Sequence, residues 1–334
     1  MHRRIFLLLS FCVIGLVATV GSGYAIQASS SLSLGLPISC TLGQDCFILL
    51  YPDRDPGPSA VDFGCGRMTY DGHQGTDFAI SDRQVMAEGI AVKAVAAGAV
   101  LRVRDGVADQ VSGAPDQFFE TRGFECGNGV VIDHGDGWET QYCHLRQGSV
   151  AVQPGDTVSQ GTVLGLVGMS GQASFPHVHL SVRRQGRIVD PFVGPEAGPG
   201  CQVNPQTLWR QPLSYVPTGL IRSGFAQRPP ELEELWAGSF YANTLPATSP
   251  ALVFWVQSYG VLQGDVEHIQ LIDPNGQIVL DEQHPLPASQ RVWLSFVGKR
   301  AASQPLASGY WQGRYRLTRG QKTLIDQQHQ ILVE

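Results

Sequence analysis

The sequence predicts an all-β protein, and three observations carry that expectation. Short apolar runs alternate with polar residues at period two, glycine and proline punctuate them, and hardly any segment shows helical periodicity. Hydrophobic residues make up 43% and charged residues 16% of the 334 positions, a composition that buries a core and does not suit a disordered tail. The length suits about two domains. A net charge of −6 lacks the basic footprint expected of a nucleic-acid partner.

Met1-His2-Arg3-Arg4 precedes an apolar run from Ile5 to Val20, followed by small residues at Gly21, Ser22, Gly23 and Ala25. This is the layout of a secretory signal over residues 1–25, cut after Ala25, so the mature chain is expected to be exported to a periplasm or the medium. An uncleaved anchor is the competing reading, for which the run is slightly short; no stable membrane insertion is expected after cleavage. Cys12 would leave with the signal. Cys40, Cys46, Cys65, Cys126, Cys143 and Cys201 remain, an even set that in an exported chain favours disulfides over metal-thiolate chemistry. Spacing does not choose among the possible pairings. The expected set is Cys40–Cys46 as a small loop, Cys126–Cys143 across a hairpin and Cys65–Cys201 by elimination.

Residues 26–204 form the first expected domain. Phe47 to Tyr51 reads as an edge strand, and Tyr70 to Ile80 as a turn leading into a strand. Glycine-bounded short strands follow over Ala91 to Val103, then a polar insertion over Asp105 to Phe119. Gly127 to Leu145 reads as a hairpin around His134-Gly135-Asp136-Gly137, where His134 is expected to cap the turn. Two more short strands are expected at Val152–Val158 and Thr162–Gly168. Residues 205–230, ending in Pro229-Pro230, are expected as a linker. Residues 231–334 return to the β pattern, with strands at Leu252–Val256, Val292–Val297 and Tyr310–Leu317 and a hairpin around Asp273-Pro274-Asn275-Gly276. They are expected to form a second, immunoglobulin-like sandwich. Trp293 and Trp311 fit its core better than a sugar-binding face.

The chemistry concentrates in the first domain, where five of the nine histidines lie between His73 and His179. In Phe175-Pro176-His177-Val178-His179-Leu180, residues i and i+2 of a strand share a face, so His177 and His179 look into one groove. A strand with two half-buried histidines would account for that pair alone. His73 and Asp77 add an imidazole and a carboxylate, and Gly72 and Gly75 argue that they converge from a turn and strand start rather than a helix. With one histidine of the pair they make three protein ligands and an open position, the pattern of a catalytic zinc site. The His-Glu-x-x-His helix of many metallopeptidases is absent. Proton transfer then falls to histidines that do not bind metal, with His144 in Tyr142-Cys143-His144-Leu145 the obvious candidate.

From Cys40 to Phe192 the chain resembles the lysostaphin-like zinc metallopeptidases, which include the β-lytic cell-wall endopeptidases and have a duplicated-hybrid-motif fold. The resemblance rests on His73-x3-Asp77, Tyr142-Cys143-His144-Leu145 and His177-Val178-His179 in that order. Gly75-Thr76-Asp77-Phe78, Gly127-Asn128-Gly129-Val130 and Gly168-Met169-Ser170-Gly171 match beside them. It implies a compact antiparallel β-sandwich, zinc held by His73, Asp77 and His179, and a catalytic pair of His144 and His177. The reaction it implies is peptide-bond hydrolysis in peptidoglycan stems or cross-links through a zinc-bound water. Tyr70 is a further candidate donor to the oxyanion. The chain departs from the family before the last motif: where Thr-Gly-Pro-His is usual, Ala173-Ser174-Phe175-Pro176-His177 stands, in the loop that borders the substrate groove. The alternative is a non-enzymatic scaffold of the same fold that binds peptidoglycan or activates an amidase. Members of that kind typically lack the ligands, and here all are present.

Overall fold

Among the described residues, ten strands make the first module of the structure, a computed structural model that describes residues 32–110, 123–301 and 304–334. The expected signal and residues 111–119 of the expected insertion lie outside the described residues. The strands are β1 (Cys46–Leu50), β2 (Thr76–Ile80), β3 (Ala91–Lys93), β4 (Gly98–Arg104), β5 (Asn128–Gly135), β6 (Trp138–Leu145), β7 (Thr157–Val158), β8 (Val163–Leu166), β9 (His177–Arg184) and β10 (Arg187–Ile188). One short helix, α1 (Arg83–Glu88), follows β2. The main sheet runs β1-β2-β9-β6-β5-β4-β7 with β10 beside β9, and β3 pairs β8 in a small second sheet. Its ladders are antiparallel, as expected.

Period-two alternation in β9 sorts its side chains. Val178, Leu180 and Val182 are buried in the core with Phe78, Tyr142, Val130 and Ile132. His177, His179 and Ser181 take the other face. The register sets Asp77 opposite His179, so a carboxylate from β2 and an imidazole from β9 share that face. His134 does not simply cap its turn: its ring spans Ala97 O (2.7 Å) and Thr140 Oγ1 (2.7 Å), tying the hairpin to the loop before β4. Cys40–Cys46, Cys65–Cys201 and Cys126–Cys143 are the disulfides.

The second half contains β11 (Gly219–Ala226), α2 (Leu232–Trp236), β12 (Thr244–Leu245), β13 (Ala251–Val261), β14 (Val266–Ile272), β15 (Ile278–Pro285), β16 (Gln290–Arg300), β17 (Gly309–Arg319) and β18 (Lys322–Val333). A three-stranded sheet β11-β13-β16 faces a five-stranded sheet β12-β18-β17-β14-β15. Phe225, Phe254, Val256 and Val297 from the first meet Ile269, Leu271, Trp311, Tyr315 and Leu317 from the second. Trp311 is thus a core residue. Strand β11 lies inside the segment expected as a linker. Gly219, Ser223 and Gly224 hide it by composition, yet Gly224 is where β11 crosses the Trp255 indole, and a Cβ there would stand 2.7 Å from that ring.

The outer face of the three-stranded sheet rests on the first module. Tyr259 stacks on Phe47 with centroids 5.1 Å apart. Fully buried Asp82 caps α1 by accepting from the Gln84 and Val85 N–H groups, and pairs with Arg222 of β11 at 3.2 Å. Tyr241 also donates to Asp82. On another edge, Arg291 of β16 donates to Thr69 O at 2.6 Å. Phe47, Thr69 and the α1-capping Asp82 are thus each contacted from the second half.

Candidate metal centre and its neighbouring histidines

The structure brings His73, Asp77, His144, His177 and His179 to one place. His73 Nε2 lies 3.2 Å from His179 Nδ1 and 3.3 Å from Asp77 Oδ1, and His179 Nδ1 lies 2.8 Å from the same oxygen. His177 Nε2 is 3.6 Å from Asp77 Oδ1. The His144 ring centroid is 4.6 Å from that of His177 and 5.9 Å from that of His179. All but half-buried His179 are buried.

Each imidazole is oriented by its second nitrogen. His73 Nδ1 donates to Tyr51 O (2.7 Å), His144 Nδ1 to Ser170 O (2.8 Å) and His177 Nδ1 to Phe175 O (2.8 Å). A carbonyl only accepts, so these contacts assign the proton to Nδ1 and leave Nε2 with its lone pair. For His179 the order is reversed: Nε2 faces Ser181 Oγ at 3.0 Å, and Nδ1 faces Asp77. With the His179 proton on Nε2 toward Ser181 Oγ, two imidazole lone pairs and a carboxylate oxygen converge, and three acceptors so close suit a cation among them. The donor set, two nitrogens and one oxygen, and the outer hydrogen bonds fit a divalent metal of the zinc type.

His144 reaches the site by a local irregularity. Tyr142 and Leu180 are cross-strand partners on the core face, so plain alternation would send residue 144 to the core as well. Between Asn128↔Leu145 and Val130↔Tyr142 the register slips, so that β6 carries one residue more than β5. His144 sits in that bulge at φ 62°, in the left-handed region, which turns its ring toward His177. The Cys126–Cys143 bridge and a bond from His144 N to Cys126 O (2.8 Å) pin it there. Fully buried Asn128 completes the support: its N–H donates to Ser170 Oγ and its amide to Leu145 O.

The electrostatics separate His73, Asp77, His144 and His177. Burial alone would lower His73, but Asp77 beside it overcomes this and the net shift is upward. Burial would raise Asp77, and the His73 and His177 rings instead hold it well below the usual carboxylate range. His144 is pushed well down by burial, then by His177 and His179. His177 is lowered by burial against the opposing pull of Asp77. At neutral pH His144 and His177 are therefore neutral bases. Tyr70 is 46% exposed, its ring 4.6 Å from the His73 ring, and burial and then Asp77 push its hydroxyl up to about 12, so it stays a donor.

Ser181, Ser170, Tyr51 and Phe175 orient site residues without being candidates in the sequence. Only Ser181 was legible there, two residues beyond His179 on the same strand face. Gly75 is another: a Cβ at that position would meet His179 Nε2 at 2.4 Å and Leu180 O at 2.6 Å. Gly75→Ala is expected to displace the His179 ring and weaken divalent-metal affinity at least about tenfold, read by competition with a chromophoric chelator. Unchanged affinity would mean the ring has room to move that the packing denies.

An all-β sheet that converges two imidazoles and a carboxylate, with two further imidazoles beside them, presents a group able to hold a divalent metal. Comparison narrows it: residues 71–191 match the family model described as peptidase family M23, and this domain belongs to that lysostaphin-like family. The family implies a metal. Peptidoglycan DD-endopeptidase ShyA of Vibrio cholerae is 41% identical over 64 residues, covering 19% of this chain and 14% of the relative. DD-carboxypeptidase/endopeptidase Mpg of Neisseria meningitidis is 42% identical over 65 residues, covering 20% of this chain and 14% of the relative. The chain thus spans about a seventh of the length of these relatives. The catalytic domain of lysostaphin from Staphylococcus simulans superposes with a TM-score of 0.28 at 22% identity, over 42% of this chain and 85% of that one. Among the described residues, no helix is long and apolar enough to cross a membrane.

Proposed function

We propose that the chain is an exported zinc metallopeptidase that hydrolyses peptide bonds of peptidoglycan. The observation that carries this reading is the convergence of His73 Nε2, Asp77 Oδ1 and His179 Nδ1 on one point beside two neutral imidazoles. His73, Asp77 and His179 would hold the ion. Bound zinc supplies Lewis acidity and brings the pKa of a water down to roughly 7.

The chain's own residues then handle the protons. His144 and His177 each commit Nδ1–H to a carbonyl, so each has Nε2 free to act. One Nε2 takes a proton from the attacking water as its oxygen bonds to the scissile carbonyl carbon. The imidazolium so formed donates to the oxyanion and passes its proton to the leaving nitrogen as the C–N bond breaks. Tyr70 flanks the metal ligands as a neutral hydroxyl suited to donate to substrate. Peptidoglycan as substrate is supported by the name of the ShyA relative, a peptidoglycan DD-endopeptidase, and peptidase activity by that of Mpg, a DD-carboxypeptidase/endopeptidase. Export is supported by the signal-like N-terminus and by three disulfides, which persist in oxidising compartments.

The test is the zinc content of the mature protein together with digestion of purified peptidoglycan, the products identified by mass. Stoichiometric zinc, chelator-sensitive release of peptide fragments and restoration by added zinc are expected. Zinc without cleavage would overturn the substrate, and absence of zinc would favour the scaffold.

A further inference from the structure

We infer that Trp236, in the C-terminal module, is a positioning residue for the peptidase site, acting through Phe175 on the His177 imidazole. The inference rests on the role proposed for His177. Four rings stand in a row: Trp236 to Phe175 at 5.6 Å, Phe175 to His177 at 4.4 Å, and His177 to His144 at 4.6 Å. Phe175 therefore holds His177 twice. Its ring stacks on the imidazole, and its carbonyl takes the Nδ1 proton that fixes the tautomer. Pro176 keeps Phe175 out of the helical region and leaves the side chain as the movable part. Phe175 is also where the chain departs from its family's usual Thr-Gly-Pro-His.

Trp236 is the face against which Phe175 rests, and the second module fixes it firmly. It closes α2, whose neighbour Leu235 is fully buried against Trp255 and Ala226. Arg222 Nη2 donates to Leu235 O (3.0 Å) and Ser239 O (2.9 Å), while its Nη1 pairs with Asp82 across the junction. Although Trp236 comes from the C-terminal half, it packs against the core of the first module. The position of α2 is thus conveyed to an imidazole that does chemistry, and the second module is a part of the peptidase site rather than a detachable tether. A displaced aromatic neighbour leaves such a base present but misaimed, which costs turnover more than binding.

The experiment uses the full mature protein with Trp236→Leu and Trp236→Phe. Zinc content, the thermal midpoint, kcat and KM on a cross-linked peptidoglycan peptide, and the ring resonances of His177 are measured on each. Trp236→Leu is expected to keep zinc and fold, to lose about tenfold in kcat with KM little changed, and to shift the His177 resonances. Trp236→Phe, which keeps a ring face, is expected to restore both. Should the leucine variant fail to fold, Trp236→Met, unbranched and more adaptable in a gap, carries the same comparison. Wild-type kcat and unshifted His177 resonances would overturn the inference, as would a raised KM at constant kcat, which would make Trp236 a substrate contact. If the wild type itself cleaves nothing, the proposed function fails, while the His177 resonances still decide whether Trp236 positions the ring.

Discussion

His179→Ala is expected to lose zinc and hydrolysis together, whereas His144→Ala and His177→Ala keep zinc and lose turnover. The distinction follows from where the lone pairs point. His179 Nδ1 lies within 3.2 Å of both His73 Nε2 and Asp77 Oδ1, so its removal leaves two ligands for an ion that in catalytic sites takes three from the protein. Zinc per chain should fall from about one toward zero. The His144 ring faces His177 rather than the Asp77 carboxylate, and its Nδ1 is held by Ser170 O. Its loss removes a base, worth about 100- to 10,000-fold in kcat. His177 is the sharper test, because its Nε2 stands only 3.6 Å from Asp77 Oδ1. Metal analysis of the purified variants beside their kcat settles the assignment: zinc lost from His177→Ala would move that residue into the ligand set.

Replacing Cys126 and Cys143 together by serine is expected to cost both stability and activity, and the activity loss is the more informative. The bridge closes a loop of 17 residues' separation, for which the chain-entropy effect is about 3 kcal/mol. That corresponds to a fall of roughly 5–10 °C in Tm. The bridge also pins the bulge that holds His144 at φ 62°, a conformation that costs a non-glycine residue on the order of 1–2 kcal/mol. Released, the strand can relax toward plain alternation and carry His144 away from the groove. At a temperature where the double variant is fully folded, kcat should fall at least about tenfold while zinc stays bound. A lowered Tm with unchanged kcat would show that strand pairing and Asn128 hold the bulge unaided.

Much of this protein is legible in its sequence. The all-β class followed from period-two alternation with glycine punctuation, because burial on one face of a strand writes itself into neighbouring residues. His177 and His179 were placed on one face by the same local rule, and His73 with Asp77 by the glycines around them. The cysteine pairs of the two small loops were within reach because their partners are close along the chain. Strand β11 was not, since Gly224 and Ser223 answer to the Trp255 ring and the β13 partner, not to any local preference.

Other features were decided by tertiary structure alone. Alternation by itself sends residue 144 to the core; only the register slip against β5, the disulfide and the left-handed backbone bring its ring to His177. The carbonyls of Tyr51, Ser170 and Phe175 that fix three tautomers belong to segments distant in sequence or in loops, and every residue has a carbonyl, so composition carries no trace of which one serves. Trp236 lies 59 positions beyond His177 by residue number, yet its ring ends the row that reaches that imidazole. The sequence by itself determined which chemical groups are available and which face of each strand they take. Which of them meet, and with which nitrogen pointing inward, depended on contacts between distant segments, because those contacts fix register and ring orientation and leave no periodic signal in the chain.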